Sequence, residues 1–207
     1  QKRFNVFLTN SLEEATLTQN NLFQWYARES LEASRVKKET PVMVVMGNPP
    51  YSGVSSNNIK WISDLINDYK YIDGVYFNER KHWLNDDYVK FIRYGQHYID
   101  KNGEGILAFI NPHGFLDNTT FRGMRKSLLE SFDKIYILDL HGNGNKKEVC
   151  PDGSKDDNVF DIKQGVSINI FIKTSKSKKL ADVYCYDLYG KRDFKYNFLC
   201  KYDLKSI

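Results

Sequence analysis

Pro41-Val42-Met43-Val44-Val45-Met46-Gly47-Asn48-Pro49-Pro50-Tyr51-Ser52-Gly53 is the stretch on which the reading of this chain turns. A short, Val-rich run closing on glycine and then Asn-Pro-Pro predicts a buried strand that stops abruptly in a loop. Proline cannot donate to a sheet ladder, so the strand must end before Pro49. Pro49 also biases Asn48 toward extended backbone. The product is a stiff loop at the C-terminal end of a strand, the edge at which open α/β sheets bind ligands.

The loop has a specific chemistry. The Asn48 carboxamide oxygen can accept a hydrogen bond from an exocyclic amine, and the Pro49 carbonyl can accept a second. Two acceptors on one amino group draw its nitrogen out of the plane of the ring, which releases the lone pair for attack on an electrophilic methyl. No proton needs to leave first, so no strong general base is required. Tyr51 offers a flat face for the base, a contact of ~1–3 kcal/mol in single-strand binders. The set reads as a device for methylating an amino group on a planar ring. The plain alternative is a Pro-Pro turn with a solvated Asn48 and a packed Tyr51.

The bulk properties bound the rest. A chain of 207 residues, 41% apolar and 14% aromatic, is expected to form one globular domain. No run of 18 apolar residues occurs, so no membrane span is expected. Gln1-Lys2-Arg3-Phe4 has neither an initiator Met nor a signal-peptide core and looks cut from a longer chain. Cys150, Cys185 and Cys200 are odd in number and widely spaced, which argues for free thiols in a reducing cytoplasm. His82, His97, His113 and His141 show no metal-ligand spacing, so no metal is expected. A net charge of +4 is mild. Lys146 and Lys147, after a Gly-Asn-Gly turn, and Lys173, Lys176, Lys178 and Lys179 are candidates for phosphate contact or simply solvated loops.

Along the chain, Asn5–Thr9 reads as a short strand and Leu12–Lys38 as a helix capped by Ser11. Residues 51–86 form a long polar connection with a helix at Lys60–Tyr69. A helix starts at Asp86 or Asp87 and stops at the Lys101–Gly105 stretch. Further strands are expected at Ile106–Ile110, Lys134–Leu140, Val166–Lys173 and Val183–Leu188, with a helix at Thr119–Phe132. Alternation from residue 42 to 140 implies a mostly parallel sheet with crossover helices. The last two strands are spaced as an antiparallel hairpin would be.

Asn48-Pro49-Pro50-Tyr51 resembles motif IV of the amino-group S-adenosylmethionine-dependent methyltransferases, chiefly the N6-adenine DNA methyltransferases. The wider context resembles the methyltransferase region of the single-chain type ISP restriction–modification enzymes. That likeness rests on Phe7–Glu13, Val44–Gly53, Tyr88–Arg93, Asp139–Asn143 and Asn158–Val166, spread over roughly residues 4 to 175. The resemblance implies an α/β fold, the C-terminal half of a Rossmann-like methyltransferase whose mostly parallel sheet ends in an antiparallel hairpin. It makes 1–207 a single partial methyltransferase domain, with 176–207 leading toward a target-recognition domain. It implies catalytic roles for Asn48, Pro49, Pro50 and Tyr51, and stacking of a flipped adenine between Tyr51 and Phe160, the latter in a motif VIII-like segment. Asn10 falls where the family places a cofactor-adenine contact.

The implied cofactor is S-adenosylmethionine. The implied partners are double-stranded DNA and the nuclease, helicase-like translocase and target-recognition domains of the same polypeptide. Nothing before residue 48 resembles the family's first, glycine-rich motif, so the isolated chain is expected to bind cofactor poorly and to be inactive. Two alternatives remain at this point: a methyltransferase acting on a protein glutamine or an RNA guanine amino group, or a non-catalytic DNA-binding module.

Overall fold

The computed structural model describes residues 6–7, 9–14, 24–53, 55–78, 82–174 and 180–204, excluding the side chains of 24–29. Its helices are α1 (Gln24–Glu39), α2 (Lys60–Asn67), α3 (Asp87–Asn102), α4 (Arg122–Ser131) and α5 (Arg192–Lys201). Its strands are β1 (Val44–Gly47), β2 (Tyr71–Ile72), β3 (Val75–Tyr76), β4 (Gly105–Pro112), β5 (Lys134–Asp139), β6 (Val166–Lys173) and β7 (Asp182–Asp187). Among the described residues five strands form one sheet in the order β1-β4-β6-β5-β7.

Strand chemistry explains that order. In β6, Val166, Ile168, Ile170 and Ile172 make one face apolar, and on the other Ser167, Asn169 and Phe171 are buried too, so the strand is covered on both faces and sits in the middle. It pairs antiparallel with β4 on one side and with β5 on the other. β1 pairs parallel with β4, and β7 parallel with β5. Four strands therefore run one way and β6 runs against them, which is the expected α/β class with a mostly parallel sheet. The expected terminal hairpin does not form. β6 fills the slot between β4 and β5, and β7, exposed along its whole length, takes the edge beside β5.

Helices α3 and α4 supply the main core. Val89, Ile92 and Ile99 of α3 and Met124 and Leu128 of α4 bury against Leu107, Phe109, Ile135 and Phe171 of the sheet. Each such side chain contributes roughly 1.5–3 kcal/mol by leaving water. α3 begins after Asp86, in extended backbone, and stops at Gly103, which takes φ 88° and returns its N–H to the Ile99 carbonyl at 2.9 Å. The expected helix at Thr119–Phe132 starts as a 3-10 turn, Thr119–Phe121, because the Asn118 side chain accepts from the Thr120 N–H at 3.0 Å. The long 51–86 connection carries α2 and a small hairpin, β2–β3, turned by Asp73 and Gly74, both at positive φ.

Two N-terminal expectations change. Val6, Phe7 and Thr9 are in no strand, and Asn5 and Leu8 lie outside the described residues. Asn10 instead folds its side-chain oxygen onto the Leu12 N–H at 3.0 Å and makes a turn, a local bond that competes with both strand and helix. Residues 11–13 are accordingly a turn, and within the described residues the helix runs from Gln24.

β1 is also not buried as its composition leads one to expect. Among the described residues no strand pairs with its outer edge, and Met43, Val44 and Met46 are 45%, 54% and 75% exposed. An apolar edge of this kind is a template for pairing with another chain. The isolated chain should therefore self-associate, and Met46→Lys should weaken that association. Sedimentation velocity at rising concentration checks this; a wild-type chain that stays monomeric throughout would contradict it.

A candidate active site at the strand-end edge

The four co-directed strands end at Gly47, Pro112, Asp139 and Asp187, which brings the segments following them to one edge of the sheet. The Ile106 N–H donates to the Met43 carbonyl at 2.8 Å, so alternation also points the backbone groups of Ala108 and Ile110 toward β1. By the spacing of the ladder, the donor due to the Ile110 carbonyl is position 49. Pro49 has no N–H. The Tyr51 hydroxyl takes the place, 3.0 Å from the Ile110 oxygen, and lies 2.6 Å from the Asn48 Oδ1. Burial pushes the Tyr51 phenol up to about 12, so it keeps its proton at physiological pH. Pro49 is buried while Asn48 and Pro50 are exposed, and a cavity of about 240 Å³ opens against the loop, lined in part by Ser11, Gly47, Asn48, Pro49 and Phe91.

The chain leaving Tyr51 is anchored to the start of α3. Ser52 Oγ donates to Asp87 Oδ2 at 2.9 Å, the Gly53 N–H to Asp86 Oδ2 at 3.1 Å, and Asn57 Nδ2 to Asp87 Oδ1 at 3.1 Å. Lys90 Nζ closes the set on Ser55 Oγ at 3.0 Å and on the Asn57 carbonyl. Burial pushes the Asp87 carboxyl up, but hydrogen bonds from Ser55, Asn57 and Ser52 and the Lys90 charge overcome it and hold the carboxyl below its ordinary range. Burial raises Asp86. This anchor is not visible in the sequence, because its acceptors lie some thirty residues beyond its donors and no periodicity links them.

Phe160 and Tyr51 pack on one small apolar cluster built on Leu140, Val159, Val166 and Leu188. The cavity beside Asn48 is lined by neither aromatic, so they share the cluster and not that cavity. Asn158 shapes the Phe160 segment: its Oδ1 accepts the Phe160 N–H at 2.8 Å, and its Nδ2 donates to the Gly142 and Gln164 carbonyls at 3.1 and 2.7 Å. A Cβ at Gly142 would lie 2.4 Å from Asn158 Cα, so only glycine fits there. Asp156 accepts from the Gly142 and Gly190 N–H groups and pairs at 2.7 Å with Lys195 of α5, both side chains fully buried.

Sequence spacing concealed a cluster of histidines and acids. His113, Asp139 and His141 bring potential ligand atoms within 4.8 Å of one another, because they come from the ends of β4 and β5. Each ring nitrogen is already committed. His113 Nδ1 donates to Asp139 at 2.9 Å and its Nε2 accepts from Asn143 Nδ2 at 3.0 Å. Both nitrogens of His141 face carboxylates, Glu148 at 2.8 Å and Asp187 at 2.9 Å, the pattern of an imidazolium donating twice, and Tyr189 stacks on the ring at 3.8 Å. Burial lowers the His141 pKa, but Glu148, Asp139 and Asp187 outweigh it and raise it above 6.5. Asp139 is pushed up by burial and pulled further down by His113 and His141. We read the cluster as an ion-pair tie between the strand ends and the 141–165 loop.

Of the remaining expected site residues, Asn10 is exposed in its turn, with Nδ2 3.5 Å from Asn57 Oδ1, and its neighbour Ser11 lines the cavity. Lys146 is exposed and bonds Asp117 at 2.9 Å; Lys147 is exposed at φ 51°. Lys176, Lys178 and Lys179 lie outside the described residues.

The model of a family described as the Eco57I restriction-modification methylase matches residues 1–145. No curated protein sequence matches the chain. Among solved structures, the DrdV–DNA complex aligns at 27% identity and TM-score 0.76, over 98% of this chain and 20% of DrdV. The ATP-dependent type ISP restriction-modification enzyme LlaBIII bound to DNA aligns at 28% identity and TM-score 0.75, over 93% of this chain and 13% of that one. A nuclease-deletion mutant of the type ISP enzyme LlaGI, in complex with a DNA substrate mimic, aligns at 25% identity and TM-score 0.71, over 94% of this chain and 16% of that one. The chain thus spans a fifth or less of the length of each of these relatives.

The His141 tie carries a pH signature. With its pKa raised in the fold, its stabilisation is complete below the ordinary value of 6.5 and is lost as pH rises through the raised value. The Asp139 contribution is present above its ordinary 3.8 and is lost as pH falls through the lowered one. His141→Phe, which keeps the ring against Tyr189, should cost roughly 2 kcal/mol at about pH 6 and clearly less at about pH 9. Urea unfolding at the two pH values checks this; an equal loss at both would contradict it.

Proposed function

The chain belongs to the Eco57I restriction-modification methylase family, and on that premise we propose that it is the acceptor-holding half of a DNA adenine N6-methyltransferase within a longer restriction–modification polypeptide. The observation that carries this is the Asn48–Tyr51 loop, held rigid at a strand end with an exposed carboxamide beside a buried Pro49. The Asn48 oxygen and the Pro49 carbonyl accept the two hydrogens of adenine N6, and the nitrogen lone pair is turned out of conjugation. S-adenosylmethionine supplies the electrophilic methyl carbon when bound. Ser11, Gly47, Asn48 and Phe91, around the cavity of about 240 Å³, are the residues that would hold one end of such a molecule. The nitrogen is cationic once methylated and loses its proton to solvent, so the site needs no base before attack.

Adenine can reach this loop only out of the duplex stack. Tyr51 and Phe160, on one apolar cluster, are the aromatic faces that receive it. Lys146 and Lys147, both exposed, are the candidate contacts for backbone phosphates, Lys146 after release from Asp117, and the DNA-bound state of the DrdV, LlaBIII and LlaGI relatives supports DNA as the partner. In this reading the nuclease, translocase and target-recognition functions lie elsewhere in the polypeptide, and residues 176–207 lead toward the last of them. Cys150, Cys185 and Cys200, all free thiols, suit a reducing cytoplasm. The isolated chain, lacking a glycine-rich cofactor loop, is inactive.

Asn48→Ala in the full-length polypeptide should lower methyl transfer by ~10²–10³, the usual cost of losing one preorganised polar contact at a reacting centre. DNA affinity should hardly change. Transfer of labelled methyl to DNA, alongside a mobility-shift titration, measures both; near wild-type transfer would sink the assignment.

A further inference from the structure

We propose that the Tyr51 hydroxyl is a positioning group that turns the Asn48 carboxamide so that its oxygen faces the reacting amine. The inference rests on the adenine-methylating reading of the loop and gives Tyr51 a second task besides offering its ring to the base.

The argument is a count of protons. The Tyr51 oxygen lies 3.0 Å from the Ile110 carbonyl oxygen and 2.6 Å from the carboxamide oxygen Oδ1 of Asn48, so two acceptors face one hydroxyl. The hydroxyl has one hydrogen and cannot donate to both. The Ile110 carbonyl can only accept, and its ladder donor is missing because position 49 is a proline. A part-buried carbonyl left without a donor is costly, so the hydroxyl hydrogen is committed to Ile110. The Tyr51 oxygen then has only lone pairs to offer Asn48. A carboxamide 2.6 Å away meets lone pairs favourably through its NH2 group and unfavourably through its oxygen. Turning the amide about its last bond satisfies the contact and points the oxygen outward, where Asn48 is exposed and the amine must arrive. Pro49 therefore acts twice: its carbonyl receives the amine, and its missing N–H sets the hydrogen that fixes Asn48. Burial, which raises the Tyr51 phenol, keeps that hydrogen in place across the working pH range.

The test is Tyr51→Phe in the full-length polypeptide. It keeps the aromatic face and removes only the hydroxyl. Single-turnover methylation is measured on DNA carrying the target adenine, and 2-aminopurine fluorescence at that position reports flipping, with Asn48→Ala run beside it. The expected result is a fall of about fivefold to tenfold in the methylation rate with the DNA KM and the fluorescence change intact, the scale of one hydrogen bond. A wild-type rate in Tyr51→Phe, with Asn48→Ala dead, overturns this role and leaves the adenine reading standing. A rate and a fluorescence change lost together also overturn it, since the hydroxyl would then be holding the loop as a whole. A wild-type rate in Asn48→Ala defeats the underlying reading.

Discussion

The Ile110 carbonyl meets no backbone donor on its β1 side, because the chain that should supply one has reached a proline. Two prolines in succession end the β1–β4 ladder while β4 still has three residues to run, as the register Gly47↔Phe109 shows. The loop must then cross the strand-end edge without the ladder to hold it. A single side chain two residues on, Tyr51, returns to close the gap. The anchorage of the loop to β4 follows from that one substitution of a hydroxyl for an amide N–H.

Charge holds what surrounds the loop. Downstream, Asp86, Asp87 and Lys90 at the start of α3 gather Ser52, Gly53, Ser55 and Asn57 into one polar knot. Across the edge, the buried Lys195–Asp156 pair fixes Gly142 and Gly190, and Arg192 bonds the Asn158 and Phe160 carbonyls at 2.8 and 3.0 Å. Buried pairs of this kind add little net stability against an apolar replacement, yet removing one partner costs about 3–5 kcal/mol because the other charge is stranded. Their effect here is on geometry: they hold the Tyr51 and Phe160 segments against one apolar cluster.

Local signals in the sequence found the elements well where chemistry within a few residues decides them. Val166–Lys173 is the strand its alternation predicts, and α3 begins at the Asp86–Asp87 cap and ends at Gly103 as expected. At Gly165 a Cβ would lie 2.4 Å from the His113 ring, so the backbone passes close to that side chain. What escaped were the pairings between distant segments. Nothing near β7 announces that it will lie beside β5, so spacing alone suggests a terminal hairpin where the sheet has none. The His113–Asp139–His141 group joins two strand ends that only the sheet brings together. The apolar composition of β1 correctly marks a strand, but its outer edge meets no strand among the described residues.

The central claim is that this edge holds an adenine amino group of DNA for methylation. Its most direct measurement is nucleoside mass analysis of DNA incubated with the full-length polypeptide and S-adenosylmethionine carrying an isotopic methyl. The account predicts the heavy methyl on adenine as N6-methyladenine and on no other nucleoside. Label on a protein glutamine, on guanine of RNA, or on no acceptor at all under conditions where the polypeptide binds both DNA and cofactor would contradict it.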